Sequence, residues 1–175
     1  MTLIEGNPQG AVRAVIFEDL QCGDCARLRR MLDSELLPRF AAAVAFEHRD
    51  FPLPKHDWAR LAAVAARYFD ACGDGSAAAT GLGMAFRRRT LEQMKQILAP
   101  MFPEHIRAFA VEHGVTPPAA AGLAAFEAEV EADYRDGLAR GVAKTPTVFV
   151  GETAFVEVFT VEELTAALAG QGARA

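Results

Sequence analysis

The chain has 175 residues, 51% of them hydrophobic, and a formal net charge of −5 at pH 7. That is enough apolar content for one cored domain, or one domain with a sizeable insertion. An acidic chain offers no positive field to nucleic acid or an anionic membrane, so neither is an expected partner, and no run of 18 or more apolar residues predicts a membrane span. Residues 1–9 lack a positively charged start followed by an apolar run and a small-residue cleavage site. The sequence therefore reads as cytoplasmic as written, or as periplasmic or otherwise extracytoplasmic if it is a trimmed mature form. Three cysteines make one pair and one left over, too few for a disulfide scaffold.

Gly6-Asn7-Pro8-Gln9-Gly10 predicts a turn into the first strand, the apolar run Val12 to Phe17. After it the period changes: Leu28, Leu32, Leu36 and Phe40 recur at helical spacing, giving a helix from about Gly23 to Phe40, with Pro38 marking a kink or early end. Cys22 and Cys25 fall at that change of period. Cys22 is expected at the N-cap, facing solvent, where unpaired backbone N–H groups and the helix dipole favour a thiolate. Cys25 lies on the apolar stripe and is expected to turn inward. A Cys-x-x-Cys between a strand and a helix points to redox chemistry, with one sulfur attacking and the other resolving. The competing readings are half of a zinc site, for which no second Cys-x-x-Cys exists, and an inert core pair.

Val44 to Phe51 alternates as a strand, so strand, helix and strand predict a right-handed parallel crossover, stopped by Pro52 and Pro54. A helix N-capped by Asp57 follows through Leu61, Val64, Ala65, Tyr68 and Cys72, which places Cys72 in the core. Gly73-Asp74-Gly75-Ser76 and Gly81-Leu82-Gly83 bracket a flexible connection. Helical stripes then run through Leu91, Met94, Leu98 and Met101, through Ile106, Phe109 and Ala110 up to Gly114, and after Pro117-Pro118 through Leu123, Phe126, Val130, Tyr134 and Leu138. The Arg87-Arg88-Arg89 run reads as a solvated face. Thr147 to Val150, Gly151-Glu152 and Ala154 to Val158 predict an antiparallel hairpin. Thr160-Val161-Glu162-Glu163 is a capping box opening a last helix, packed by Val161, Leu164 and Leu168.

Cys22-Gly23-Asp24-Cys25 after an apolar strand, with Lys144-Thr145-Pro146-Thr147-Val148-Phe149-Val150-Gly151 before the final hairpin, resembles the thioredoxin superfamily. Gly6-Asn7-Pro8, Asp19-Leu20-Gln21-Cys22, Arg49-Asp50-Phe51-Pro52-Leu53 and the long helical middle are similar to its DsbA-like branch. The resemblance implies an α/β thioredoxin fold with a central mixed sheet, residues 1–55 and 143–175, and an inserted helical subdomain, residues 56–142. It implies a thiol-disulfide oxidoreductase that needs no cofactor beyond the redox-active Cys22-Cys25 disulfide, acts on protein or peptide thiols and disulfides, and is recycled by a redox partner. It also implies a cis Thr145-Pro146 bond facing the cysteines, with the Thr145 backbone free to pair with an extended substrate.

Two positions depart from the branch. The branch places a buried carboxylate six residues before the first cysteine to relay a proton for the inner thiol; here that residue is Ile16, with Glu18 and Asp19 as imperfect replacements. In the Gly23-Asp24 dipeptide, Asp24 sets a negative charge beside the expected thiolate and should raise its pKa, to about 6 to 7 for Cys22. Two other functions use the same residues: a glutathione-dependent transferase or reductase acting on small molecules, and a non-catalytic binding module whose cysteines are incidental or bind zinc.

Overall fold

The computed structural model describes residues 3–72 and 81–174. Five strands form one mixed sheet in the order β1-β3-β2-β4-β5: β1 Leu3–Gly6, β2 Val12–Glu18, β3 Val44–Asp50, β4 Thr147–Val150 and β5 Thr153–Val156. β2 and β3 are parallel, from Val12 beside Val44 to Glu18 beside Asp50, as the strand–helix–strand pattern predicts. The remaining pairings are antiparallel. Nothing in the sequence pattern announces β1, because four residues are too few to show a period. Its end is fixed by Gly6, whose φ of +78° and close approach to the Val44 carbonyl both exclude a side chain.

The first helical run extends to Phe40 as expected, but in three parts: α1 Gly23–Met31, a π-helical stretch Leu32–Leu36, and α2 Leu37–Phe40. The widened turns just precede Pro38. A proline has no N–H and its ring crowds the carbonyl four residues back, so loosening the turn there lets the helix continue. Leu28, Leu32, Leu36 and Phe40 pack with Leu164 and Leu168 of α8, Val161–Gly170, on the face of the sheet that carries Ala14, Ile16, Phe46 and Val148. The capping box that opens α8 forms in full, Thr160 accepting from the Glu163 N–H and Glu163 from the Thr160 N–H.

The middle of the chain is helical: α3 Ala59–Ala71, α4 Leu82–Gln93, α5 Phe102–Glu112, α6 Ala120–Ala124 and α7 Glu127–Ala139. Trp58, not Asp57, caps α3, and its N–H is taken by the Gln21 side chain, which ties this helix to the cysteine loop. The helix expected through Leu98 and Met101 stops at Gln93 instead. Pro100 would crowd the Gln96 carbonyl of a continuous helix, and Leu98 and Met101 are left exposed. In α7 the inner line is Val130, Asp133 and Gly137 rather than a stripe reaching Leu138, which is exposed. Gly137 lets the helix lie directly on Phe51, whose ring a Cβ would meet at 2.5 Å. Cys72 is not a core residue: it is half-buried, as the C-cap of α3. Of the expected glycine connection, residues 73–80 lie outside the described residues.

Two features tie this helical middle to the sheet. Phe69, Phe86, Phe102 and Phe109 share one apolar cluster with Leu20, Cys22, Cys25 and Ala26. Beside that cluster the sheet face turns from apolar to charged: Ala14 and Phe46 give way along β2 and β3 to Glu18, His48 and Asp50, all buried. Buried charges require counter-charges. They come from Arg67 on α3 and Arg87 on α4, and this overturns the reading of Arg87-Arg88-Arg89 as a solvated face. Arg87 is 0% exposed, giving Glu18 two hydrogen bonds of 2.9 and 3.1 Å and Asp50 one of 2.5 Å. Arg88 reaches Glu5 and Asp33, and Arg89 reaches Glu112.

Candidate active site

Cys22 sits at the N-cap of α1, as its place in the sequence predicts, and Cys25 one turn later is fully buried. Both are free thiols. Cys22 is more enclosed than the solvent-facing position expected of it: it is only 8% exposed, because its sulfur lies 3.2 Å from the Thr145 carbonyl and donates to it as a thiol. The Thr145-Pro146 bond is cis, and the Thr145 carbonyl is engaged by Cys22 rather than free. Cys22, more than a hundred residues from Thr145 in the sequence, thus meets it through the pairing of β2 with β4.

The electrostatics separate the two sulfurs. The Cys22 thiol is pulled down to about 6, chiefly by a hydrogen bond from the Cys25 thiol. Burial opposes this; the nearby Thr145 side chain and the N–H groups of Cys25 and Asp24 at the open helix start reinforce it. The Cys25 thiol is pushed well above its ordinary value, first by burial, then by donating to Cys22 and by the Cys22 charge, and then by the charge of Glu18. One N–H favours the Cys25 thiolate, that of Asp19 at 3.4 Å from the sulfur.

Asp24 does not act as expected. Its carboxylate turns to Arg27, 3.7 Å away, and it is the Asp24 N–H that bears on the Cys22 thiol, pulling it down. Arg27 also donates to the Phe159 carbonyl at 3.0 Å and to the Glu157 carbonyl, while the Glu157 N–H donates to the Pro146 carbonyl at 2.8 Å. Arg27 and Glu157 therefore brace α1 against the proline segment. Gly23 next to Asp24 is exposed at the helix start.

Glu18 is no proton relay either. Burial would push its carboxyl up, but Arg87, then His48 and Arg29, hold it down at about 2. Its Oε1 takes His48 Nδ1 at 2.7 Å as well as both Arg87 bonds. Such a carboxylate is a fixed charge and a poor base. Asp19, one residue on, is pushed up by burial and accepts from the Leu53 and Gln21 N–H groups and from His56 Nδ1, each at 2.7 Å. His48, His56, Arg67, Arg87 and Asp133 escape a motif-based reading, and Asp50 enters it only as part of Arg49-Asp50-Phe51-Pro52-Leu53. The signal that could have found them is the row of ionisable residues Glu47, His48, Arg49 and Asp50 in a strand paired on both sides. Among the described residues no cluster of three or more His, Cys, Asp or Glu side chains could hold a metal ion.

A family model described as thioredoxin matches residues 1–169. The chain belongs to that family. No curated protein sequence matches it. Three solved structures share its fold across 97% of its length. The thiol-disulfide exchange protein alpha-DsbA2 from Wolbachia pipientis has 18% identity and a TM-score of 0.76, with 86% of that chain covered. ScsC from Proteus mirabilis has 17% identity and a TM-score of 0.73, with 72% covered. A periplasmic thioredoxin-like protein from Salmonella enterica serovar Typhimurium has 17% identity and a TM-score of 0.74, with 89% covered. The fold is therefore that of the DsbA-type structures, a thioredoxin sheet with helices inserted. Among the described residues no helix is long and apolar enough to cross a membrane.

Proposed function

We propose that this thioredoxin-family protein is a thiol-disulfide oxidoreductase that exchanges disulfides with protein or peptide thiols through Cys22 and Cys25. The observation that carries the reading is the placement of the two sulfurs, Cys22 at the N-cap of α1 against the Thr145 carbonyl and Cys25 one turn on and fully buried. With a pKa of about 6, roughly nine in ten Cys22 sulfurs are ionised at pH 7. Thioredoxin's nucleophile lies at about 7 and DsbA's at about 3.5, so Cys22 falls nearer the first.

In the reducing direction the Cys22 thiolate attacks one sulfur of a substrate disulfide, and the other sulfur leaves as a thiolate. Cys25 then loses its proton and attacks Cys22. The bond between Cys22 and the substrate breaks, the second substrate thiolate departs, and two electrons have passed from the dithiol to the substrate. The oxidising direction is the same path in reverse, and a redox partner restores the starting state. Val156 and Val158, both exposed, flank Glu157, whose N–H holds the Pro146 carbonyl. They give the rim of the site an apolar strip suited to a peptide segment rather than a small polar thiol. Thr145 and Pro146 would orient that segment, with Trp58, Phe86 and Phe102 of the helical middle packed in one cluster with the two cysteines.

The test is a single turnover of reduced protein with a disulfide-bonded peptide. One peptide disulfide should be reduced per protein chain, with a mass loss of two hydrogen atoms and a new Cys22–Cys25 bond in the digest. Protein recovered as the unchanged dithiol would overturn the reading. So would a stable mixed disulfide between Cys22 and the peptide as the end product.

A further inference from the structure

A cleft of about 390 Å³ begins one residue past Cys22. Gly23 and Asp24 start one wall along α1 and Arg30 ends it, while Glu92 at the end of α4 and Lys95 in the turn after it stand on the other. Ligand sites run from about 300 to 1,000 Å³, so this one has room for a residue or two of an extended chain and not for a folded partner. Its charges are unevenly answered. Asp24 is met by Arg27 at 3.7 Å, which leaves Arg30 and Lys95 against Glu92, all three exposed. The other arginines of α1 and α4, namely Arg27, Arg29, Arg87, Arg88 and Arg89, each hold a carboxylate. Among the described residues Arg30 and Lys95 hold none.

We propose that this cleft is a substrate subsite for an acidic side chain, Asp or Glu, of the peptide that exchanges with Cys22, and that Arg30 and Lys95 are its specificity-determining residues. The proposal rests on the exchange reaction above and names the class of peptide that reaction favours. Cys22 is the N-cap of α1, and Arg30 lies about 12 Å further along it at 1.5 Å per residue. An extended peptide advances about 3.3 Å per residue, so the side chain that meets Arg30 stands about three residues from the cysteine bonded to Cys22. The net charge of −5 gives an acidic peptide no long-range attraction, so the choice is made at contact, by two cations that have no carboxylate of their own. Glu92 opposes them in part, which suits the cleft to a single carboxylate and not to an acidic run.

The experiment uses three linear one-cysteine peptides, each oxidised to its disulfide dimer, that differ only in the third residue on each side of the cysteine: glutamate, glutamine or lysine. Acid-quenched single turnovers of the reduced protein at pH 7 and low salt give the second-order rate of disulfide loss, divided by the rate of the same dimer with dithiothreitol to remove its intrinsic reactivity. The glutamate peptide should react about threefold faster than the glutamine peptide and about tenfold faster than the lysine peptide, the modest preference that exposed ion pairs supply. In about 1 M salt the three rates should converge, because screening then acts within about 3 Å. Arg30→Gln combined with Lys95→Gln should abolish the order, and Glu92→Gln should widen the gap between glutamate and glutamine. Arg135→Gln removes one positive charge at an exposed position on α7 and should leave the order intact. All of these side chains are exposed, so the variants keep the native fold. Equal normalised rates for the three peptides in the native protein would overturn the proposal and leave the exchange reading standing. An order that survives the double substitution would also overturn it. So would oxidised glutathione losing as much rate in the double variant as the glutamate peptide, since the cleft would then serve a small thiol. If no peptide disulfide reacts with the native protein, the exchange reading fails and takes this proposal with it.

Discussion

Asp50→Ala should lower the folding stability by about 3–5 kcal/mol, the range for a buried ion pair robbed of one partner. Asp50 is 1% exposed on a strand paired on both sides, and its two oxygens hold Arg87 at 2.5 Å and Arg67 at 2.7 Å. Removing it leaves two guanidinium groups in the interior short of counter-charge. The exposed pair of Arg60 with Glu127 at 2.9 Å is the contrast: its side chains are about half exposed, and Arg60→Ala should cost less than about 1 kcal/mol. Thermal melts of the two variants check the difference. At roughly 2–4 °C per kcal/mol for a chain of this size, Asp50→Ala should melt about 6–20 °C lower.

The pH dependence of the same cluster has two limbs of opposite sign. Glu18 and Asp50 are held below their unfolded values, so their contribution is present above about pH 4.5 and is lost as pH falls through the folded values. His48 is raised above 6.5 by its two glutamates despite burial, so its contribution is complete below 6.5 and fades as pH rises through its folded value. The cluster therefore supports the fold best between about pH 4.5 and 6.5.

A large catalytic effect should come from Cys25→Ser. With the inner sulfur gone, resolution depends on thiols from solution, and the advantage of a tethered nucleophile is lost, so turnover of a peptide disulfide should fall at least about a hundredfold. The Cys22–peptide adduct should then accumulate as a band on non-reducing gels that reductant removes. The same variant separates the exchange reaction from a glutathione-dependent reaction on small molecules, which uses a single cysteine and would keep its rate.

The redox pair was legible because the chain changes from strand period to helix period at Cys22, and a helix start has physical consequences for a thiol. The final hairpin and the capping box at Thr160 were legible for similar local reasons, although β5 ends at Val156 and the exposed Val158 lies beyond it. What escaped is set by tertiary packing. Arg87 stands in a triplet of like charges, a pattern that usually faces water, yet helical spacing sends it inward with Gly83 and Thr90 while its neighbours point elsewhere. Asp24 looked like a neighbour of the thiolate because it is one in sequence, but a helix turn carries its carboxylate to Arg27. Cys72 fell on an apolar stripe whose last residue lies past the covered part of α3. In each case a one-dimensional pattern gave the right element and the wrong surroundings.

The division of labour between the sulfurs can be read directly from a brief pulse of iodoacetamide on the reduced native protein, analysed by peptide mass spectrometry at pH 5, 7 and 9. Cys22 should label first at pH 7 and about tenfold more slowly at pH 5, with little further gain at pH 9, as a thiol titrating at about 6 requires. Cys25 should stay unlabelled throughout the pulse, and the half-buried Cys72 should follow behind Cys22. Labelling of Cys25 as fast as Cys22, or a Cys22 rate that keeps climbing tenfold per unit up to pH 9, would contradict a thiolate nucleophile at the helix start backed by a buried thiol.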